Sequence, residues 1–267
     1  MFNLTDKVIV VTGGTGILGG AFIKGIADAG GKVVILGRNE EVGREREQEV
    51  ISAGGDALFI PADVLQQEDL EKVCQQVLDT FGRIDALVNG AGGNVAEAVI
   101  GPDKDIFSVN IQALKQVFDL NLYGTILPTT IFGRHMVTNG GTIINISSMA
   151  AQSAITRVLG YSMAKAAVDN FTRWMAVELA NRYGDKIRMN AIAPGFFVTH
   201  QNRSLLTTPD GGYTARGEAV IRNTPYKRFG EPEELIGTLI WLLSDASKFV
   251  SGEVICVDGG FSVFSGV

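Results

Sequence analysis

The sequence predicts an α/β fold in which a doubly wound, parallel sheet of about seven strands carries helices on both faces. Short apolar, β-branched runs alternate along the chain with longer amphipathic segments. Runs that are apolar at almost every position are typical of strands buried on both faces, and the segments between them can supply right-handed helical crossovers. The predicted strands cover residues 7–11, 33–36, 57–60, 86–89, 142–146, 187–193 and 253–257.

The composition favours a metabolic protein made of one domain, and we expect that domain to cover residues 1–267. The hydrophobic content of 46% is ample for a packed core. A formal charge of -6 and the absence of a polybasic run exclude the usual signs of a nucleic-acid or membrane-surface partner. Neither a secretion signal nor an apolar run long enough to span a membrane is recognisable, so we expect a cytoplasmic protein with a small-molecule substrate.

Cysteine and histidine are too scarce and too scattered to predict a metal site. Cys74 and Cys256 are far apart and have no metal-ligand spacing, so a disulfide framework is not indicated either. We expect both cysteines to be small core residues. His135 and His200 cannot by themselves build a three-histidine centre.

Two stretches interrupt the alternation of strands and helices. Residues 92–105 are rich in Gly, Asn and Pro, and residues 196–226 follow the sixth strand. The second stretch is longer than most connections in a compact domain, which favours a lid over a substrate site, with a disordered excursion as the alternative.

A glycine-rich turn follows the first strand and opens a helix. Glycines let the backbone approach a pyrophosphate, whose charge meets the N–H groups and the positive end of the helix dipole. Tight-turn geometry is the simpler explanation, but the position after the first strand of a βα pattern predicts a Rossmann-type dinucleotide site. The predicted cofactor contacts in this turn are Gly13, Thr15, Gly16, Ile17, Leu18 and Gly19.

Further cofactor candidates follow the later strands. After the third strand, Asp63 could accept a hydrogen bond from the adenine amino group, and a helix cap is the alternative. After the fourth strand, small residues leave room for ribose, and a simple turn is the alternative. The candidates at these positions and after the sixth strand are Asp63, Val64, Asn89, Gly90, Ala91, Pro194, Gly195, Phe197 and Thr199.

Tyr161 and Lys165 lie four residues apart in the stretch YSMAK. On a helix this spacing puts both side chains on one face, where the lysine charge can lower the pKa of the phenol. The same pair also occurs on solvated helix faces, so it does not establish chemistry alone.

A longer signature makes the chain resemble the short-chain dehydrogenase/reductase family. Ser148 ends the fifth strand, and Tyr161 begins a helix thirteen residues later, which is the spacing of the Ser…Tyr-x-x-x-Lys motif of that family. The resemblance runs from about Thr5 to the carboxyl terminus. Other matching marks are Asn121 in Asn-Leu-Tyr-Gly, the pair Pro194-Gly195 and the stretch Val257-Asp-Gly-Gly260.

The resemblance implies an NAD(P)-dependent oxidoreductase with four catalytic residues. Tyr161 would exchange a proton with the substrate oxygen while hydride moves to or from the nicotinamide. Lys165 would lower the pKa of Tyr161 and hold the nicotinamide ribose, and both residues would therefore also contact the cofactor. Ser148 would hydrogen-bond the reacting carbonyl, and Asn121 would support a proton relay through water. Because the family usually forms tetramers, a homotetramer is implied.

Two departures from the family pattern concern the cofactor. Ile17 occupies the middle glycine of the usual turn, with Gly16 beside it, so we expect cofactor binding with an altered loop geometry. Gly37-Arg38 ends the second strand where a member that prefers NAD usually carries an aspartate for the ribose 2′-hydroxyl. Arg38 could meet a 2′-phosphate or stack on adenine, so NAD and NADP both stay open.

The substrate class follows from a narrower resemblance. Members of the family that interconvert D-fructuronate and D-mannonate are similar in the stretches DLNLYGTILP, APGFFVTHQNRSLL, RFGEPEEL and VDGGFSVFSGV, and are commonly described with NAD. A polyol carboxylate needs hydrogen-bond donors and a cation, and Arg203 is favoured as that cation. The substrate candidates are Asn94, Ser148, Gln152, Arg157, Tyr161, His200, Gln201, Asn202 and Arg203.

Three functions stay open from the sequence. One is the sugar-acid oxidoreductase, and another is a reductase of the same family for gluconate, another sugar or polyol, or a 3-oxoacyl thioester. The last is a non-catalytic dinucleotide-binding protein, which would tolerate the loss of Ser148, Tyr161 or Lys165, all of which are present.

Overall fold

The structure is a computed structural model that describes residues 2–199 and 202–266. Its strands are β1 (Val8–Thr12), β2 (Lys32–Gly37), β3 (Ala57–Pro61), β4 (Ala86–Asn89), β5 (Gly141–Ile146), β6 (Ile187–Pro194) and β7 (Val254–Val257). Its α-helices are α1 (Ile17–Asp28), α2 (Glu40–Ser52), α3 (Gln67–Phe81), α4 (Ile111–Phe118), α5 (Gly124–Asn139), α6 (Leu159–Tyr183), α7 (Arg203–Leu206), α8 (Ala215–Asn223) and α9 (Ile236–Leu243). Each predicted strand is present, and its ends differ from the predicted ones by no more than one residue.

The seven strands form one parallel sheet in the order β3-β2-β1-β4-β5-β6-β7. The strand order reverses between β1 and β4, whose last residues Thr12 and Asn89 are register partners. The turns that follow these two strands therefore leave the sheet side by side, at the place where a doubly wound sheet binds its ligand.

Helices cover both faces of the sheet, so the predicted fold is confirmed. One apolar layer contains Phe22 of α1 and Leu239 of α9. The opposite layer contains Val73 of α3, Phe132 of α5 and Ala176 of α6. The sheet is thus buried from both sides, which explains why its strands are apolar at nearly every position.

The two cysteines have different environments. Cys74 is buried in the apolar stripe of α3, as predicted. Cys256 is exposed, so the prediction that it is a core residue was wrong. It lies in β7, which is the last strand of the sheet and has a neighbouring strand on one side only.

The predicted lid contains two helices in its described part. Leu206 of α7 and Val220 of α8 pack with Phe229 in a small apolar cluster that is separate from the two main layers. This stretch therefore has its own core beyond the carboxyl end of β6. No helix in the described ranges is long and apolar enough to cross a membrane.

Candidate active site

The end of β5 and the first turns of α6 bring three of the predicted catalytic residues together. The side chain of Ser148 lies close enough to Tyr161 to lower the pKa of its phenol. Lys165 is buried, and its Nζ donates to the carbonyl of Ile146 at 2.7 Å. The same Nζ lies 5.7 Å from the centroid of the Tyr161 ring. Because α6 begins at Leu159, both side chains occupy its first two turns, as the four-residue spacing predicts.

The fourth predicted residue, Asn121, lies in a π-helical turn over Asp119–Tyr123, between α4 and α5. Its buried amide donates to the carbonyl of Gly93 at 2.6 Å and accepts from the N–H of Gly93 at 3.0 Å. A β-carbon placed on Gly92 would lie 2.8 Å from Asn121 Oδ1 and 3.1 Å from Lys165 Nζ. The four residues therefore surround one small space, and a π-helical turn at such a place is typical of functional sites.

Burial controls the protonation of the tyrosine and the lysine. It lowers the pKa of Lys165 to about 8, and the nearby carboxylate of Asp169 opposes that change. It also raises the pKa of the Tyr161 phenol, and the nearby side chain of Ser148 opposes that change. We expected Lys165 to lower the pKa of Tyr161, but burial of the phenol is the larger effect here.

The turns after β1 and β4 lie close together, with no side chain between Gly13 and residues 90–91. We call these two turns the glycine cradle. Gly13 has φ +68°, and a β-carbon there would lie 2.7 Å from the backbone of Gly90 and Ala91. Thr12 Oγ1 accepts from the N–H groups of Gly90 at 3.1 Å and Ala91 at 3.2 Å, which joins the two turns. Only glycine suits position 13, because both the conformation and the close backbone contact exclude a side chain.

The amino-terminal end of α1 is open to an anion. Its N-cap residue, Gly16, makes no side-chain cap, and the first turn holds no acidic residue. Ile17, which replaces the usual middle glycine, is the first residue of this helix and is half-buried. The N–H groups of the first turn and the glycine cradle together fit the pyrophosphate of a dinucleotide.

Arg46 was missed by the sequence analysis. This residue of α2 donates to the carbonyl of Gly14 and, at 2.8 Å, to the carbonyl of Gly16. It therefore holds the glycine turn in which Ile17 departs from the family pattern. Nothing local in the sequence distinguishes it from the other charged residues of α2.

Arg38 is exposed directly after β2. A β-carbon on Gly37 would lie 2.6 Å from Oγ1 of Thr15, so an aspartate cannot occupy position 37 unless Thr15 moves. Asp63 accepts from the N–H of Leu65 at 3.0 Å and thus makes a local turn, while Val64 is buried.

Other cofactor candidates occupy different depths at the same edge of the sheet. Asn89 is buried, and its amide donates to Thr129 and Asn145, both at 2.9 Å. Its side chain therefore connects β4 with α5 and β5 and does not reach the surface. Pro194, the last residue of β6, and Phe197 are buried, whereas Gly195 and Thr199 are half-buried.

Several substrate candidates already have protein partners. Asn202 donates to the carbonyl of Phe197 at 2.8 Å and accepts from the N–H of Thr199 at 2.7 Å, so its amide closes the turn that leads into α7. Gln152 accepts from the thiol of Cys256 at 3.4 Å and lies close enough to Asp169 to lower its pKa. Asn94 accepts from the N–H of Val95 at 3.0 Å, Arg203 is exposed on α7, and His200 and Gln201 lie outside the described residues.

Arg157 has a second guanidinium beside it. It is half-buried, with φ +76°, a left-handed conformation that a non-glycine residue adopts at a cost. Arg216 of α8 donates to both the hydroxyl and the carbonyl of Thr156 at 3.1 Å. Burial and the charge of Arg157 both lower the pKa of Arg216. Arg216 is not recognisable as a site residue from the sequence, because only the folded lid brings it to Thr156.

The described residues contain no group of three or more His, Cys, Asp or Glu side chains that could hold a metal ion. No ion pair within the described ranges joins Arg157, Arg203 or Arg216 to a carboxylate.

Comparison with known proteins identifies relatives over nearly the whole chain. The family model described as enoyl-(acyl carrier protein) reductase matches residues 16–262. The uncharacterised oxidoreductase UxuB of Bacillus subtilis is 43% identical, over 99% of this chain and 98% of the relative. A Haemophilus influenzae structure with bound NAD, provisionally assigned as a D-mannonate oxidoreductase, is 40% identical with a TM-score of 0.91, over 99% of this chain and 98% of that one. A gluconate 5-dehydrogenase from Burkholderia cenocepacia, in complex with NADP and tartrate, is 31% identical with a TM-score of 0.85, over 98% of this chain and 97% of that one.

Proposed function

The chain belongs to the short-chain dehydrogenase/reductase family, and from this we propose that it interconverts the sugar acids D-mannonate and D-fructuronate. It is an NAD(P)-dependent oxidoreductase. Beyond this class of reaction, we propose the substrate and the roles of the residues that surround the site.

The pair of guanidinium groups from Arg157 and Arg216 carries the choice of a carboxylate substrate. Arg157 lies on the segment that joins Ser148 to Tyr161, and Arg216 reaches that segment from α8. Two cations that repel each other and have no carboxylate partner in the described ranges favour an anionic ligand between them. A carboxylate is such a ligand. Arg203, on the preceding helix α7, supplies a third cation.

The four catalytic side chains have roles that follow from their contacts. When bound, the nicotinamide supplies or accepts the hydride. We assign the proton to the hydroxyl of Tyr161, which donates it to the carbonyl oxygen in reduction and removes it from the alcohol in oxidation. Ser148, whose hydroxyl lies near that of Tyr161, orients the substrate oxygen. The ammonium of Lys165 stabilises negative charge on the phenol oxygen, and Asn121 supports a proton relay through water.

We propose that the dinucleotide lies across the carboxyl ends of β1 and β4. The glycine cradle and the open end of α1 fit its pyrophosphate. NAD is favoured by the ligand of the Haemophilus structure, and NADP by Arg38 together with the lack of space for an acid at position 37. We keep both cofactors in the proposal.

A homotetramer is also proposed. Large apolar side chains on the outer face of α6, including Trp174 and Val177, are exposed in the single chain. Such a face is compatible with burial against a second copy. Light scattering of the purified protein should give four times the subunit mass.

The test of this function is oxidation of D-mannonate, followed by the absorbance of the reduced nicotinamide, with NAD and NADP in parallel. D-gluconate is the second candidate substrate, since the gluconate 5-dehydrogenase relative shares the fold. D-mannitol serves as a neutral comparison. Turnover of D-mannonate well above that of D-gluconate supports the proposal, whereas turnover of D-mannitol alone refutes the choice of a carboxylate.

Arg216→Gln separates carboxylate binding from general damage to the lid. A charge-assisted hydrogen bond contributes about 1.5–3 kcal/mol, so we expect the KM for the sugar acid to rise about tenfold or more. The KM for a neutral polyol should change little. Arg222→Gln, an exposed residue of the same helix, is the matched control. A larger effect of Arg203→Gln than of Arg216→Gln would assign the carboxylate to Arg203.

A further inference from the structure

Four consecutive residues, the last two of β5 and the two that follow it, each interact with a residue of α6. They include Ser148, which the proposed mechanism uses, and the three residues that precede it. Hydrogen bonds join Asn145 with Thr172, Ile146 with Lys165, and Ser147 with Asp169. Ser148 lies close enough to Tyr161 to lower the pKa of its phenol. The mechanism uses only the pair at Ser148 and the lysine at Ile146. The pair of Ser147 and Asp169 lies between them in the same set of contacts.

Ser147 and Asp169 form a hydrogen bond between two buried side chains. Asp169 is 4% exposed and Ser147 is 2% exposed. The hydroxyl of Ser147 donates to a carboxylate oxygen of Asp169, and the N–H of Ser147 donates to the carbonyl of Ile192 at 2.8 Å. Ser147 is therefore fixed by one hydrogen bond of its side chain and one of its backbone. These bonds also limit the movement of the backbone at the next residue, Ser148.

A buried carboxylate that serves only for packing would be costly, since water no longer solvates it. The groups that face Asp169 come from three elements. They are Lys165 and Arg173 on α6, Ser147 and Gln152 after the end of β5, and Cys256 on β7. Within the described ranges no ion pair joins Asp169 to a cation. Its charge therefore acts on Lys165 at a distance, one helical turn away.

We propose that Asp169 is a positioning residue of the active site. Its hydrogen bond with Ser147 fixes the position of the next residue, Ser148. Its carboxylate favours the charged form of Lys165, which burial disfavours. The proposal rests on the oxidoreductase activity and not on the identity of the sugar acid. This role requires an ionised carboxylate in the pH range in which Lys165 loses its proton, and the variants below test that requirement. Burial raises the pKa of Asp169 itself, and the hydrogen bond from Ser147 opposes that change most strongly.

Two variants separate the two parts of this role. Asp169→Asn keeps a group of the same shape that accepts a hydrogen bond but removes the charge. Ser147→Ala removes the hydrogen bond and keeps the carboxyl group. We expect Asp169→Asn to move the loss of activity with rising pH downwards by about one pH unit, because a nearby opposite charge shifts a pKa by about that much or more. Ser147→Ala should lower kcat about tenfold when each protein is measured at the pH of its highest activity, so that a changed pKa of Asp169 does not enter the comparison.

A direct titration of Lys165 makes the test independent of any substrate. Protein with 13C-labelled lysine is titrated by NMR, and Lys165→Met identifies the signal of Lys165. In Asp169→Asn that signal should titrate about one pH unit lower than in the wild type. Glu178→Gln removes a carboxylate from the same helix at a distance from the site and should change nothing. Absence of sugar-acid turnover in the wild type would refute the proposed substrate but leave this titration to decide the role of Asp169.

An unchanged Lys165 titration in Asp169→Asn overturns the electrostatic part of the proposal. A wild-type kcat in Ser147→Ala overturns the positional part. If Asp169→Asn does not fold by circular dichroism, Asp169→Glu replaces it, and a titration of Lys165 that follows the wild type then supports the role of the charge. A lysine signal in Asp169→Glu that titrates about one pH unit below the wild type would count against it.

Discussion

Replacing Gly92 with alanine tests whether the catalytic residues form one rigid arrangement. A β-carbon at this position lies 2.8 Å from Asn121 Oδ1 and 3.1 Å from Lys165 Nζ, whereas ordinary contact begins at 3.4 Å. Neither neighbour can move freely, because Asn121 makes hydrogen bonds to Gly93 and Val117, and Lys165 donates to Ile146. The added methyl group therefore has to displace Asn121 by about 0.6 Å or shift the backbone by a similar distance.

The expected loss is catalytic more than structural. Misplacement by about 1 Å in an active site costs on the order of 100-fold in rate, so we expect kcat to fall about 30-fold to 100-fold. The φ angle of Gly92 lies outside the left-handed region, so alanine introduces no backbone strain. Overpacking by one methyl group should cost about 1–3 kcal/mol in the free energy of unfolding.

The assay is steady-state turnover with the substrate and cofactor that the wild type uses, together with thermal unfolding of both proteins. Gly101→Ala is the matched control, because it lies in the same stretch, has no atom within 4 Å of the added carbon and has no left-handed φ. It should keep the wild-type kcat. A wild-type kcat in Gly92→Ala would show that Asn121 and Lys165 tolerate displacement, and the argument from close contact would be wrong.

Two further predictions concern the proton transfer. Tyr161→Phe should lower kcat by about 100-fold to 10,000-fold, because it removes the proton donor and little volume, and cofactor binding followed by fluorescence should stay close to the wild type. Equal activity of this variant would contradict the assigned role. For carbonyl reduction, Tyr161 and Lys165 must both be protonated, and the pKa of Lys165 is about 8 while that of Tyr161 is raised. The rate should therefore be level at lower pH and fall as the pH rises through about 8, and a rate of reduction that rises through this range would contradict the reasoning.

The fold was predictable because its signals are local. Buried strands such as β4 and β5 are apolar at nearly every position, and the residues after each strand have the types that a dinucleotide site requires. Ser148, Tyr161 and Lys165 became catalytic candidates through their match to the motif of a known family, since the spacing of Tyr161 and Lys165 alone also occurs on solvated helix faces.

What the sequence could not show are contacts between distant segments. The guanidinium of Arg46 reaches a turn thirty residues earlier, and that of Arg216 reaches Thr156, sixty residues earlier. Cys256 has the apolar neighbours of a core residue, yet β7 lies at the edge of the sheet, and the pattern along one strand does not reveal its place in the sheet order. The amide of Asn202 was free to bind substrate as far as the sequence could tell, but the folded loop uses it to join Phe197 and Thr199.

The contact of Thr15 with Gly37 also bears on how this protein could exchange one dinucleotide for the other. An acid at position 37 would favour NAD, but its β-carbon would lie 2.6 Å from the side chain of Thr15. Gly37→Asp introduced first would carry the cost of that clash before it gained any ribose contact. A smaller residue at position 15, introduced first, opens the space and makes the acid acceptable. A change of cofactor preference, by evolution or by design, therefore depends on the order of the two substitutions as well as on their identity.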